Sequence, residues 1–247
     1  MGVTVARATN PAPTWKAVLM SEIRTEAVPL VDGSDLRLTV AEPDGPARGG
    51  IVVLHEARGV TDTVRRLVEG IAGDGWLVVA PHLYHRDGAD ELDGDRAEVD
   101  DHVARLDGEQ VMADTDTAFG WLAEHEVSAD RMGVVGFDLG GSVAMLVAAR
   151  RTLGAAVTVA GGGISEPLGP LPTLVSAAPE LTCPWLGIYG DRDDADELDG
   201  LLTAARESEV ATDLVTYPGR GHRFDDDPGT AEDAWQRMLN WFDSHLR

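Results

Sequence analysis

The feature that most constrains this chain is a repeated alternation between short, mostly apolar runs and longer segments of helical periodicity. The runs at 50–54 (GIVVL), 76–80 (WLVVA), 131–135 (RMGVV), 155–160 (AAVTVA), 185–189 (WLGIY) and 212–217 (TDLVTY) have the length of strands. Runs with few polar interruptions belong to strands covered on both faces, and the helical stretches near 61–72, 109–124, 142–150 and 230–245 can supply that cover. Strands joined through helices lie parallel. Alternating segments at 22–30 and 36–42 flank the turn-like VDGSD and are expected to form a leading antiparallel hairpin. The expected fold class is therefore α/β: a mainly parallel sheet with helices on both faces and a leading antiparallel hairpin. No large cap domain is expected, because only about twenty residues separate the strand ending near 160 from the one beginning near 185.

A chain of 247 residues with 43% hydrophobic content can bury one full core, so residues 21–247 read as a single domain behind a loose arm at 1–20. Forty-three acidic residues against twenty basic ones give a formal charge of −23, which disfavours nucleic acid and anionic membranes as partners. A small-molecule substrate, uncharged or cationic, is easier to accommodate in that field. Prolines and polar residues break the first twenty positions, and no later stretch approaches the roughly 18 apolar residues of a membrane span; a cytoplasmic location is expected. The single cysteine, Cys183, excludes an internal disulfide and reads as a small buried hydrophobe. The oligomeric state stays open.

The chemistry concentrates at GFDLGG (136–141), which lies between a strand and a small-residue helix. A G-x-nucleophile-x-G elbow in that context presents one strained side chain above the sheet, here Asp138, while the Leu139 N–H points at a developing oxyanion. Two further elements follow in the order nucleophile, acid, histidine: GDRD (190–193) after one strand and GRGHRF (219–224) after the next. In this reading His222 is the general base and Asp193 orients its imidazole, with Asp191 and Asp194 as rival acids.

Over about residues 22–245 the chain resembles the dienelactone hydrolase family, through LHEARG (54–59), APHLYHR (80–86), GFDLGG, YGDRD and YPGRGHRF. The resemblance implies an α/β-hydrolase fold acting on a small ester or lactone. It also implies that Glu56 interacts with the resting nucleophile, that the Ala57 N–H is the second oxyanion donor, and that Arg86 contacts the substrate. Two departures stand out. The family nucleophile is usually cysteine and sometimes serine, where this chain has Asp138; and FDDD (224–227) stands where a second substrate-binding arginine would lie.

An ionised aspartate attacking an ester would form a high-energy mixed anhydride, whereas attack on a saturated carbon bearing a halide or epoxide oxygen forms an ordinary alkyl ester. Epoxide or haloalkane hydrolysis is thus one alternative, with Tyr84 as the available phenolic donor. In a second, Asp138 assists while His222 and Asp193 activate water; in a third, the scaffold is non-catalytic and binds a ligand or partner. Asp138, Glu56 and His222 have no spacing that demands a metal, and AGGG (160–163) is not a phosphate loop, so no cofactor is expected. His82 and His85 read as loop residues, and the tryptophans as packing residues.

Overall fold

A computed structural model describes residues 22–192, 195–222 and 224–247. The expected N-terminal arm and two of the proposed acids, Asp193 and Asp194, lie outside the described residues.

Among the described residues the chain builds one sheet of eight strands: β1 (Ile23–Pro29), β2 (Asp35–Ala41), β3 (Gly50–Leu54), β4 (Leu77–Pro81), β5 (Met132–Phe137), β6 (Ala155–Val159), β7 (Trp185–Gly190) and β8 (Thr212–Tyr217). Their spatial order is β1-β2-β4-β3-β5-β6-β7-β8. The β1–β2 hairpin is antiparallel and β2 joins β4 antiparallel, while β3 to β8 pair in parallel with one another and with β4. The expected architecture is thus realised, and the helices explain why the sheet closes on both sides.

Helices α1 (Asp62–Gly73) and α7 (Pro228–His245) cover one face, and α3 (Gly108–Glu124), α4 (Leu139–Arg150) and α6 (Ala195–Ala205) the other. Alternation along the strands divides the core between the two layers. On β3, Ile51 and Val53 face Val64, Val68 and Phe242, whereas Val52 and Leu54 face Phe119, Leu122 and Val143. Helices α1 and α3 open on side-chain caps: the Thr61 side chain accepts from the Val64 N–H, and the Asp107 carboxylate from the N–H groups of Glu109 and Gln110. Cys183 is buried and unpaired, its thiol pushed up to about 12 by burial.

Helix α6 was not among the expected elements, although Leu198, Leu201, Ala204 and Ala205 recur at helical spacing and are buried. The aspartate-rich segment at 87–107 carries regular structure as well as exposed carboxylates. It contains α2 (Arg96–Ala104), opened by an Asp95/Glu98 capping box, and buries Val99 and Val103. Ahead of α2 it runs as a strap beside the loop after β3, where the Val60 N–H donates to the Asp90 carbonyl and the Leu92 N–H to the Arg58 carbonyl, both at 2.9 Å.

Candidate active site

The register of the two central strands brings the first parts of the site together. Leu54 on β3 pairs with Gly136 on β5, so the loops leaving both carboxyl ends emerge side by side. Asp138 stands at the turn from β5 into α4 with φ 53° and ψ −116°, a backbone strained for a residue with a side chain. The turn survives because its surroundings are glycine. A Cβ at Gly136 would enter the Gly140 carbonyl, and one at Gly140 would strike the carbonyls of Leu54 and His55. Bonds from the Asp138 N–H to the Val159 carbonyl (3.0 Å) and from the Gly141 N–H to the Asp138 carbonyl (2.9 Å) hold the elbow.

The two carboxylate oxygens of Asp138 meet different partners. Oδ2 accepts from the Ala57 N–H at 3.1 Å, and the Leu139 N–H also bonds to the carboxylate. Oδ1 lies 3.3 Å from His222 Nε2. Burial alone would push this carboxyl's pKa up; the His222 imidazole and the two backbone donors outweigh it and hold the group below the ordinary carboxylate value, so it is ionised at neutral pH. The side chains of Asp138 and His222 keep 35% and 45% of their surface exposed, so both are open to solvent.

His222 is carried by the loop after β8 and opposes the loop after β7. These loops are joined by the Arg192 N–H donating to the Arg220 carbonyl at 2.8 Å and the Gly219 N–H donating to Asp191 Oδ1 at 2.6 Å. Asp191, a rival acid on sequence grounds, is thereby engaged in shaping the turn that carries His222.

Three residues expected at the substrate have other partners. The Tyr84 hydroxyl donates to the Ala57 carbonyl at 2.8 Å and its ring is buried, so the phenol is not the free acid expected of it. Burial, then the Asp138, Asp87 and Glu56 carboxylates, push its pKa up. Arg86 forms a two-pronged pair with Asp114 on α3, at 2.6 and 3.0 Å. A helical aspartate thus already occupies the guanidinium, and the cavity of about 250 Å³ that Arg86 lines includes neither Asp138 nor His222. The half-buried Glu56 carboxylate accepts from the Thr61 hydroxyl at 3.3 Å.

Sequence reading also passed over His55 and underrated His82 and His85. His55 is fully buried beneath the Ala57 loop. His82, also buried, has Nδ1 2.5 Å from Asp90 and Nε2 2.8 Å from the Thr39 hydroxyl. His85 Nε2 lies 3.0 Å from the Asp114 carboxylate. The signal for His55 was its place two residues before the proposed oxyanion donor. Among the described residues no group of three or more His, Cys, Asp or Glu side chains is placed to hold a metal, and no helix is long and apolar enough to cross a membrane.

Comparison with known proteins finds relatives over most of the chain. The family model for the dienelactone hydrolase family matches residues 36–246. The chain is 32% identical over 228 residues to the Yersinia pestis protein named "Putative carboxymethylenebutenolidase", covering 86% of this chain and 85% of that one. It is 33% identical over 229 residues to a protein of the same name from Salmonella typhimurium, covering 85% and 83%. A crystal structure titled "Putative Dienelactone Hydrolase" from Klebsiella pneumoniae superposes with a TM-score of 0.81 at 31% identity, over 91% of this chain and 100% of that one. With matches that span most of both partners, this chain belongs to the dienelactone hydrolase family and is a hydrolase of the α/β-hydrolase fold.

Proposed function

We propose that this hydrolase opens small uncharged electrophiles at a saturated carbon, an epoxide or carbon–halogen compound, through an ester formed on Asp138. One observation carries the reading: Asp138 Oδ2 accepts from the Ala57 N–H, while Oδ1 faces His222. An ester or lactone carbonyl would need the Ala57 N–H that the enzyme's own carboxylate already fills. An alkyl electrophile does not.

Asp138 Oδ1 forms the new bond to carbon as the carbon–leaving-group bond breaks, and the leaving group departs with the electron pair. His222 Nε2 then takes a proton from water, and the hydroxide adds to Cγ of the Asp138 ester. Negative charge develops on Oδ2, where the Ala57 N–H already points, so little reorganisation accompanies the step. Collapse expels the alkoxide, which takes the proton from His222, and leaves Asp138 as the carboxylic acid. Its proton is released to solvent, where it accompanies the departed halide or neutralises the alkoxide formed on opening an epoxide, and the carboxylate is restored. The sum is R–X plus water giving R–OH plus HX, or epoxide plus water giving a diol. Asp193 fits the role of orienting His222 through its place in the chain, after β7.

A second reading follows the relatives named as carboxymethylenebutenolidases: hydrolysis of a small ester or lactone by water that His222 activates, with Asp138 swung out of the donor pair. A single turnover in water labelled with heavy oxygen separates the two. Attack by Asp138 puts unlabelled oxygen in the first product and label in the Asp138 carboxylate, and His222→Gln accumulates an adduct on Asp138 visible by intact mass. Label in the first-turnover product, with no adduct in His222→Gln, would replace this mechanism with the water-attack reading.

A further inference from the structure

The donor that holds Asp138 Oδ2 belongs to a peptide plane with its own fixture. The carbonyl of Glu56 and the N–H of Ala57 are the two ends of one trans peptide and point in opposite directions. His55 Nδ1 lies 2.8 Å from the Glu56 oxygen, and its Nε2 is 3.2 Å from the Leu83 N–H, which donates to it. A ring that accepts at Nε2 carries its proton on Nδ1, so the Nδ1–H donates to Glu56 and the tautomer is set by two backbone groups on different loops. The Tyr84 hydroxyl holds the next carbonyl, that of Ala57, at 2.8 Å. Tyr84 is wedged edge-on between His55 and His102, with ring centroids at 4.9 and 4.6 Å. Two successive carbonyls of an otherwise irregular loop are thus each capped by a buried side chain.

We propose that His55 is a positioning residue: its Nδ1–H, by drawing the Glu56 carbonyl one way, turns the Ala57 N–H of the same peptide onto the Asp138 carboxylate. Hydrogen bonding at the carbonyl end of a peptide also polarises its N–H, which strengthens the donor when charge builds on Oδ2. The inference rests on the reading of Ala57 as the donor at the reacting centre, but its first test needs no turnover.

In the resting protein, nitrogen NMR of the His55 ring should report a protonated Nδ1 and a bare Nε2; the opposite tautomer would overturn the proposal. His55→Phe keeps a ring and removes both bonds. Carboxyl-carbon titration should show the Asp138 midpoint raised in His55→Phe and the Ala57 amide proton moved upfield; no movement of either in the folded variant would overturn it. His55→Asn places an amide N–H near the position of Nδ1 but leaves the Leu83 N–H without its acceptor. It should therefore lose stability like His55→Phe while keeping the wild-type Asp138 midpoint, a rescue that a purely structural role does not allow. With an active substrate, kcat should fall about 10- to 100-fold in His55→Phe at nearly constant KM and return to within about threefold in His55→Asn. Absence of turnover with every electrophile would count against the proposed function, and the titration would still decide the role of His55.

Discussion

The two sides of the site are built differently. On the Ala57 side, every buried polar group described above has a protein partner: His55 between two backbone groups, Tyr84 on a carbonyl, and His82 between Thr39 and Asp90. On the His222 side, the imidazole stands on a loop after the edge strand β8, nearly half exposed, and the nearby ion pair of Arg220 with Asp227 is also open to solvent. The difference suits the tasks that the proposed mechanism assigns to each side. A donor that must meet charge without reorganising gains from a dry, cross-linked setting, whereas a base that exchanges protons with water needs access.

The strongest way to break this contrast is at the carboxylate shared by both sides. Asp138→Ser empties the donor pair and places a hydroxyl beside His222. The variant should lose alkyl-electrophile turnover by about 10³-fold or more and gain measurable hydrolysis of an activated ester such as p-nitrophenyl acetate, followed by burst kinetics. If ester hydrolysis does not rise, the donor side is not poised for an acyl oxyanion.

Asp90 sharpens the comparison from the strap. Its carbonyl accepts from Val60, and its carboxylate engages His82 at 2.5 Å and Arg37 at 2.9 Å. Asp90→Ala leaves the buried His82 Nδ1–H without an acceptor and should cost about 1–3 kcal/mol in urea unfolding. An equivalent cut on the open side should do little: Arg220→Ala removes an ion pair whose side chains are 43% and 37% exposed, and its effect on stability should stay below about 1 kcal/mol.

Acid should separate the two sides in the same order. Burial lowers the His55 pKa from 6.5 to about 4. Between these values the unfolded chain binds a proton that the folded one refuses, so this group's stabilisation is complete above pH 6.5 and falls as pH drops toward 4. The loss attributable to His55 is on the order of 3 kcal/mol, and it should shrink in His55→Asn when unfolding is followed against pH. A stability curve of the same slope in both proteins would mean that His55 does not set the acid response.

Much of this architecture was legible from residues alone because strands and helices announce themselves by period. GIVVL became β3 without adjustment, and GFDLGG became a strained elbow because only glycine at 136 and 140 admits the close backbone approach. Order along the chain likewise located Asp138 and His222 before their separation was known. The partners of Arg86 and Tyr84 were hidden for one shared reason. Their partners, Asp114 and the Ala57 carbonyl, lie 28 and 27 positions away, and nothing local reveals that a buried group is already engaged.

The sequence by itself therefore determined the layered α/β plan, the turn that lifts Asp138 above the sheet, and the chemical fact that a carboxylate stands where a thiol or hydroxyl is usual. Tertiary structure alone decided which oxygen of that carboxylate meets the Ala57 N–H and which faces His222. That choice depends on the direction of one peptide plane after β3, whose carbonyl lies against the His55 ring while Tyr84 holds the carbonyl that follows. Period and spacing encode which residues face a core; the orientation of an N–H is set only when distant loops close around it.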